Sequence, residues 1–269
     1  MESFNTALQC GSFLIPWNAV MLALGILTAI VVSEILVKKR GLDRDLALDC
    51  CIVSIPCGVV GARVFSALSG KIAWEELFSF TRIGMNLPGA LLLSSIGVLL
   101  YCRVKKYRAG TVFDALLPAA FFGLAVGRWS DFFLCDGLGP VAGDVPKFFP
   151  LVTYTSLYFA DHSTVAYAVF FADFLVCLAL GVAALLIEKR SSVQGRAARI
   201  TAALYLILEF VLEWLRDGST RQIVFGSVRF NQIVLFMMLV LFVLVLIFRA
   251  KAGKRKTAEA SVEEEEAQV

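Results

Sequence analysis

Long apolar runs recur along this 269-residue chain and constrain its fold more than any other feature. Each run is about 16 to 24 residues long, the length that a helix needs to cross a hydrocarbon core of ~30 Å. No strand-like alternation of polar and apolar residues competes with them, and the backbone hydrogen bonds of a helix are satisfied inside a membrane. With 59% hydrophobic and 17% charged residues, the sequence predicts an all-α polytopic membrane protein.

The apolar runs predict about seven transmembrane helices. Their expected bounds are Ile15–Val37, Leu46–Leu68, Leu87–Cys102, Thr111–Gly127, Thr164–Ile187, Ile200–Leu215 and Val228–Phe248. The third and fourth runs are short and contain Pro88 and Pro118, which we expect to interrupt them. No Lys or Arg precedes the first run and no A-x-A-like cleavage site follows it, so we expect it to stay as an anchor.

The distribution of Lys and Arg predicts the orientation of these helices. Connections on one side of the predicted topology, with the C-terminal tail, hold seventeen basic residues, whereas those on the other side hold seven. Since cytoplasmic connections carry the excess of basic residues, we expect the N-terminus outside and the C-terminus inside the cell. Residues 1–249 form the expected membrane domain, with an extracytoplasmic head loop at about 128–163, and 250–269 form a disordered charged tail.

The cysteine and histidine content argues against a disulfide framework and a metal site. The seven cysteines are odd in number, lie mostly in or beside apolar runs and lack C-x-x-C spacing, so we interpret them as buried apolar residues. His162 is the only histidine, which excludes a site with several histidine ligands. We expect no metal, no cofactor and no nucleic-acid partner.

Charged and polar side chains collect at the outer ends of the predicted helices. They are Arg63, Asn86, Arg128, Asp131, Asp136, Glu209, Glu213 and Arg216. Glu209, Glu213 and Arg216 are spaced i, i+4 and i+7, which puts them on one face of the sixth helix. Carboxylates at this depth cost several kcal/mol each if they face lipid, so we expect them to face a wet cavity or to pair with Arg63 or Arg128.

Three of these residues are arginines, and they come from three predicted helices. Arg63, Arg128 and Arg216 are all expected near the outer ends of their helices. Guanidinium forks match phosphate oxygens, so the arginines predict a site for an anionic phospholipid headgroup. The carboxylates can orient the arginines or take a proton from a nucleophile. The alternative interpretation is that the arginines are interfacial residues that pair within the helix bundle.

Five segments occur in a recognisable order: GARVFSAL, GMNLPGALL, GLAVGRWSDFFLCDGLG, TSLY and LEWLRDG. Their order and spacing resemble the prolipoprotein diacylglyceryl transferases over nearly the whole chain. The resemblance implies a bundle of seven helices with an extracytoplasmic head, in the bacterial cell membrane. It also implies transfer of the diacylglyceryl group of phosphatidylglycerol to the lipobox cysteine thiol of a preprolipoprotein, with release of glycerol phosphate.

The same resemblance implies roles for particular residues. The family signature G-R-x-G-N-F-x-N-x-E-x-x-G aligns with residues 127–139, and the matching positions are Gly127, Arg128, Phe132 and Gly139. The expected substrate-binding residues are Arg63, Asn86, Arg128, Gly139, Glu213 and Arg216. The expected catalytic residues are Asp131 and Asp136, the second in place of the signature glutamate. Either carboxylate can serve as the base that takes the thiol proton.

The chain also departs from the family pattern. Pro88 stands where the family has the histidine of H-G-G, and Ser130 and Asp131 replace the Gly-Asn of the signature. Loss of this histidine leaves three hypotheses open. The first is a diacylglyceryl transferase that uses a carboxylate base or positioning alone. The second is a non-catalytic paralogue that binds an anionic lipid or a lipoprotein signal peptide, and the third is a small-solute transporter.

Overall fold

The structure, a computed structural model, describes most of the chain. The described residues are 6–10, 13–43, 45–78, 85–134, 137–143, 148–154, 165–191, 193–216, 223–225 and 228–247. The helices are α1 (Trp17–Lys39), α2 (Leu46–Leu68), α3 (Leu87–Val104), α4 (Ala109–Gly127), α5 (Trp129–Leu134), α6 (Val169–Arg190), α7 (Arg196–Leu215) and α8 (Phe230–Ile247), with a 3₁₀ turn at Trp74–Glu76.

Three antiparallel two-stranded hairpins stand next to helix ends. They are β1 (Thr6–Cys10) with β2 (Phe13–Pro16), β3 (Val152–Tyr154) with β4 (Val165–Tyr167), and β5 (Ile223–Phe225) with β6 (Val228–Arg229). The second strand of each pair leads into α1, α6 or α8. Strands of two to five residues are too short to give a clear alternating pattern.

Six of the described helical segments are long and apolar enough to cross a membrane, which makes the chain an all-α polytopic membrane protein. They are α1, α2, α3, the combined segment Ala109–Leu134 formed by α4 and α5, α6 and α8. Their outward side chains include Ile35, Ile52 and Leu100, each more than half exposed, as expected for a surface that faces lipid. A seventh helix, α7, has a comparable length of 20 residues but carries more charge. The count of seven spans stays a prediction.

The helix boundaries differ from the predicted ones where turns and strands intervene. The predicted fifth span began at Thr164, but residues 165–167 form β4 and α6 begins at Val169. Pro88 does not interrupt α3, because it lies in the first helical turn, where the missing N–H costs no hydrogen bond. Pro118 lies inside α4, which continues through it to Gly127.

Glycines let α1 lie directly against α4. A Cβ atom on Gly25 would come within 2.7 Å of the carbonyl oxygen of Gly123 and within 3.0 Å of the amide nitrogen of Gly127. The two backbones therefore touch near the end of α4, as at small-residue interfaces between membrane helices. Gly61 of α2 and Gly89 of α3 make a second backbone contact of this kind.

Polar contacts join four helices at the opposite end of the bundle. The Asp114 carboxylate of α4 accepts hydrogen bonds from the backbone amides of Gly195 and Ala198, the latter at 2.8 Å, and so caps the first turn of α7. Arg40, which follows α1, donates to the Asp114 carbonyl and forms an ion pair with Glu188 of α6. These contacts fix the ends of α1, α4, α6 and α7 relative to one another.

Candidate functional site

Two buried arginines form the centre of the candidate site. Arg128 directly follows α4 and Arg216 directly follows α7, so both guanidinium groups lie at the same end of the bundle. Their side chains are only 8% and 5% exposed. Arginine is rarely buried without partners, because its charge loses hydration when it leaves water.

Carboxylates from three helices surround Arg128. Its Nη2 atom donates to Glu209 Oε1 of α7 at 2.8 Å. Its Nη1 atom lies 3.5 Å from Asp173 Oδ2 of α6 and 3.5 Å from Asp131 Oδ2 of α5. The Asp173 side chain is completely buried, whereas a quarter of the Asp131 side chain is exposed. Arg128 therefore links α7 and α6 to α5.

Two of these carboxylates, with Glu213, also bind Arg216. Its Nη2 atom pairs with Asp173 and lies 3.2 Å from Glu209 Oε1, and its Nη1 atom donates to Glu213 Oε2 at 2.8 Å. Glu209 and Asp173 thus each contact both arginines. Among the described residues, these ion pairs join two guanidinium groups to four carboxyl groups. We call this set, Arg128, Asp131, Asp173, Glu209, Glu213 and Arg216, the charged cluster.

Two asparagines connect the charged cluster to α3. Asn231 of α8 donates to Glu213 Oε1 at 3.1 Å and accepts from Asn86 Nδ2 at 2.6 Å. The Asn86 side chain in turn accepts from the Gly89 amide at 2.9 Å and so caps the N-terminus of α3. Arg216 and Asn231 therefore both help to orient the Glu213 carboxylate.

Aromatic rings border the charged cluster. Trp129 follows Arg128 in sequence, and its ring lies about 6 Å from the rings of Phe132, Phe149, Phe170, Phe171 and Phe174. Asp173 lies between two of these phenylalanines in the sequence of α6. Apolar rings lower the local dielectric constant, which strengthens the attraction between the buried charges.

The structure brings four of the predicted site residues together as two ion pairs, Arg128 with Asp131 and Arg216 with Glu213, which Glu209 and Asp173 connect. The sequence led us to expect Glu209 and Glu213 to face a wet cavity or to pair with Arg63 or Arg128. In the structure Glu209 pairs with Arg128 and Arg216, and Glu213 pairs with Arg216. Asn86 joins them through Asn231. The expected roles of these residues in binding and catalysis stay predictions, because contact within the protein does not test them.

The remaining predicted site residues are Arg63, Gly139 and Asp136. Arg63 is 3% exposed and follows Ala62, whose carbonyl accepts from the Asn86 amide at 3.1 Å, so it lies level with Asn86. The Gly139 amide donates to the Tyr167 carbonyl at 2.8 Å, which ties the segment 137–143 to β4. A Cβ atom on Gly139 would meet Tyr167 at 3.0 Å, so close packing favours glycine there. Asp136, Cys135, His162 and the TSLY segment lie outside the described residues.

Sequence reasoning missed Asp173 and Asn231. Asp173 is a lone carboxylate inside the apolar run that became α6, and a single ionisable residue within a predicted span is a functional candidate in its own right. Asn231 stands at the start of the last apolar run without such a signal, because an amide near a helix end is common.

The comparisons with known proteins agree with this architecture. The profile of the family described as prolipoprotein diacylglyceryl transferase matches residues 5–248. A protein of Clostridium kluyveri named phosphatidylglycerol–prolipoprotein diacylglyceryl transferase is 26% identical over 257 residues, which cover 93% of this chain and 98% of the relative. A protein of Oceanobacillus iheyensis with the same name is 23% identical over 266 residues, which cover 95% of this chain and 91% of the relative.

Proposed function

Because this chain belongs to the prolipoprotein diacylglyceryl transferase family, we propose that it moves the diacylglyceryl group of phosphatidylglycerol to the lipobox cysteine thiol of a prolipoprotein. The names of its relatives support both substrates. The main support for the proposal is that Arg128 and Arg216 lie together in one buried cluster at one end of a membrane bundle. Guanidinium groups so placed can contact the phosphate of a lipid headgroup.

The proposal includes an orientation in the bacterial cell membrane. The charged cluster belongs to the outer leaflet, with the N-terminus outside, seven spans and the C-terminus in the cytoplasm. The basic residues Arg40, Arg103 and Arg190 support this orientation, since they lie at the helix ends opposite the cluster. In this arrangement α7 is the sixth span, and it faces its carboxylates inward while Val211 and Trp214 face lipid.

The reaction forms one bond and breaks one bond. The acceptor thiolate attacks the glycerol carbon that carries the phosphate ester, a C–S bond forms, and the C–O bond breaks. Glycerol phosphate leaves with the electron pair of the broken bond. The two arginines stabilise the charge of the leaving phosphate, which lowers the barrier electrostatically. The thiol proton goes to a carboxylate, for which Asp131 is the candidate at hand because part of its side chain is open to solvent.

Complementation tests this function. We expect the chain, expressed in cells depleted of their own diacylglyceryl transferase, to give lipoproteins whose cysteine carries the mass of a diacylglyceryl group. Arg128→Ala should abolish this modification, whereas Arg103→Ala, a matched change at an exposed arginine of the opposite end, should retain it. Full modification by Arg128→Ala would sink the assignment of the site.

A second candidate is a non-catalytic protein that binds an anionic lipid. Two observations favour it: Pro88 stands in the position of the family histidine, and the arginines are already bound by carboxylates of the same chain. This candidate predicts binding of phosphatidylglycerol without thiol-dependent release of glycerol phosphate. Measuring that release with purified protein and a lipobox peptide separates the two candidates.

A further inference from the structure

Glu209 and Asp173 each share one carboxylate oxygen between the two arginines, and Glu209 makes the closer contact with Arg128. Glu209 Oε1 lies 2.8 Å from Arg128 Nη2 and 3.2 Å from Arg216 Nη2. The Glu209 side chain is 4% exposed, so water contributes little to its solvation. An anionic oxygen shared by two guanidinium groups is also the arrangement in which a phosphate oxygen is bound.

The other carboxylates of the cluster contact the arginines differently. Asp173 is close to Arg216 but 3.5 Å from Arg128, and Glu213 pairs with Arg216 alone among the ion pairs described. Glu209 is therefore the carboxylate within 3.2 Å of both guanidinium groups. If Glu209 moves away, Asp173 can still hold the two arginines together.

The arginines also retain donors for a further anion. The Nε atoms of Arg128 and Arg216 are buried and have no hydrogen-bond partner among the described residues, and the same is true of Asp173 Oδ1. Buried donors without acceptors are costly, and a bound group that supplies oxygens would satisfy them. Two N–H donors in one cluster suit a phosphodiester, which offers several acceptor oxygens.

We propose that Glu209 is an internal anion that occupies the phosphate position between Arg128 and Arg216 and restrains binding of the lipid headgroup. This inference rests on the proposed function, because it concerns the same site. Binding of phosphatidylglycerol requires the arginines to exchange the Glu209 carboxylate for a phosphate oxygen. The displaced carboxylate loses its partners inside the bundle, and the cost of that loss weakens lipid binding.

Titration of the purified full-length protein in detergent tests the inference. The probe is dihexanoyl phosphatidylglycerol, with dihexanoyl phosphatidylcholine as the lipid without net charge, and tryptophan fluorescence reports binding because Trp129 follows Arg128. Glu209→Gln keeps the size of the side chain and removes its charge. We expect this variant to bind phosphatidylglycerol about tenfold more tightly than the wild type, and to bind phosphatidylcholine unchanged.

Two matched variants distinguish the loss of the Glu209 contact with both arginines from the loss of a negative charge elsewhere in the protein. Glu75→Gln removes an exposed carboxylate between α2 and α3, and Glu188→Gln makes the same change at the opposite end of the bundle from the charged cluster. We expect the affinity of both to stay within about threefold of the wild type. If Glu209→Gln does not yield folded protein, Glu209→Asp serves instead, since its shorter carboxylate cannot span both arginines, and it should also bind more tightly.

Several results overturn the inference: unchanged or weaker binding by the folded Glu209 variants, an equal gain in Glu75→Gln or Glu188→Gln, or a gain for phosphatidylcholine as well. Failure of the proposed function gives a different result. In that case Glu209→Gln still binds phosphatidylglycerol more tightly, but neither it nor the wild type releases glycerol phosphate in the presence of a lipobox peptide.

Discussion

Replacement of Arg216 by glutamine removes the guanidinium group that contacts Asp173, Glu209 and Glu213. The nearly inaccessible carboxylates of Asp173 and Glu209 then depend on Arg128, and Glu213 loses its ion pair while it keeps the hydrogen bond from Asn231. Loss of one partner from a buried ion pair costs about 3–5 kcal/mol, because the other charge stays buried. At about 2–4 °C per kcal/mol for a chain of this size, the melting temperature should fall by roughly 6–20 °C.

Asp173→Asn is the comparison that makes this reasoning testable. It also alters a buried member of the cluster, but both arginines keep Glu209, and Arg216 keeps Glu213 at 2.8 Å. We therefore expect a smaller loss of about 1.5–3 kcal/mol, as for a hydrogen bond to a charged group. The assay is thermal unfolding in detergent, followed by size-exclusion chromatography of heated samples. Equal losses in the two variants, or a larger loss in Asp173→Asn, would refute the account based on charge balance.

Two further predictions concern the ends of the bundle. Asp114→Ala removes the carboxylate that accepts from the Ala198 amide, so the free energy of unfolding should fall by about 0.5–2 kcal/mol. The same heating assay measures this loss, with Glu75→Ala as an exposed control. An unchanged melting temperature would contradict the capping role. Pro88→His places an imidazole, a side chain that can act as a general base near neutral pH, in the first turn of α3. If the missing histidine limits proton removal, thiol-dependent release of glycerol phosphate should rise at pH 7 to 8 relative to Pro88→Ala; equal rates would refute this.

The sequence predicted the helices and the shared position of Arg128 and Arg216, because both follow from the lengths and the order of the apolar runs. Apolar run length predicts a membrane helix, and the alternation of direction brings the ends of α4 and α7 to the same side. Arg128 and Arg216 could therefore be assigned to the same end of the bundle from the sequence alone. The spacing of Glu209, Glu213 and Arg216 also predicted a common face, because helical periodicity fixes it.

Contacts between helices could not be predicted in the same way. Which helix neighbours which depends on close packing, such as that of Gly25 against Gly123 of α4, and no periodicity reveals such pairs. Asp173 reaches the arginines only because α6 packs beside α4 and α7, so its role emerged from the structure. The hairpin that precedes α6 was missed for a different reason, since three-residue strands form mainly through their context.

The inward face of α7 has a consequence for the biogenesis of the protein. Glu209 and Glu213 each cost several kcal/mol when a helix enters lipid alone, so α7 partitions poorly by itself. Its partners, Arg128 of α4 and Asp173 of α6, come earlier in the chain and leave the ribosome first. Integration of α7 therefore depends on helices that have already left the translocon. The charged cluster therefore forms late in assembly, after α4 and α6 have been inserted and when α7 packs against them.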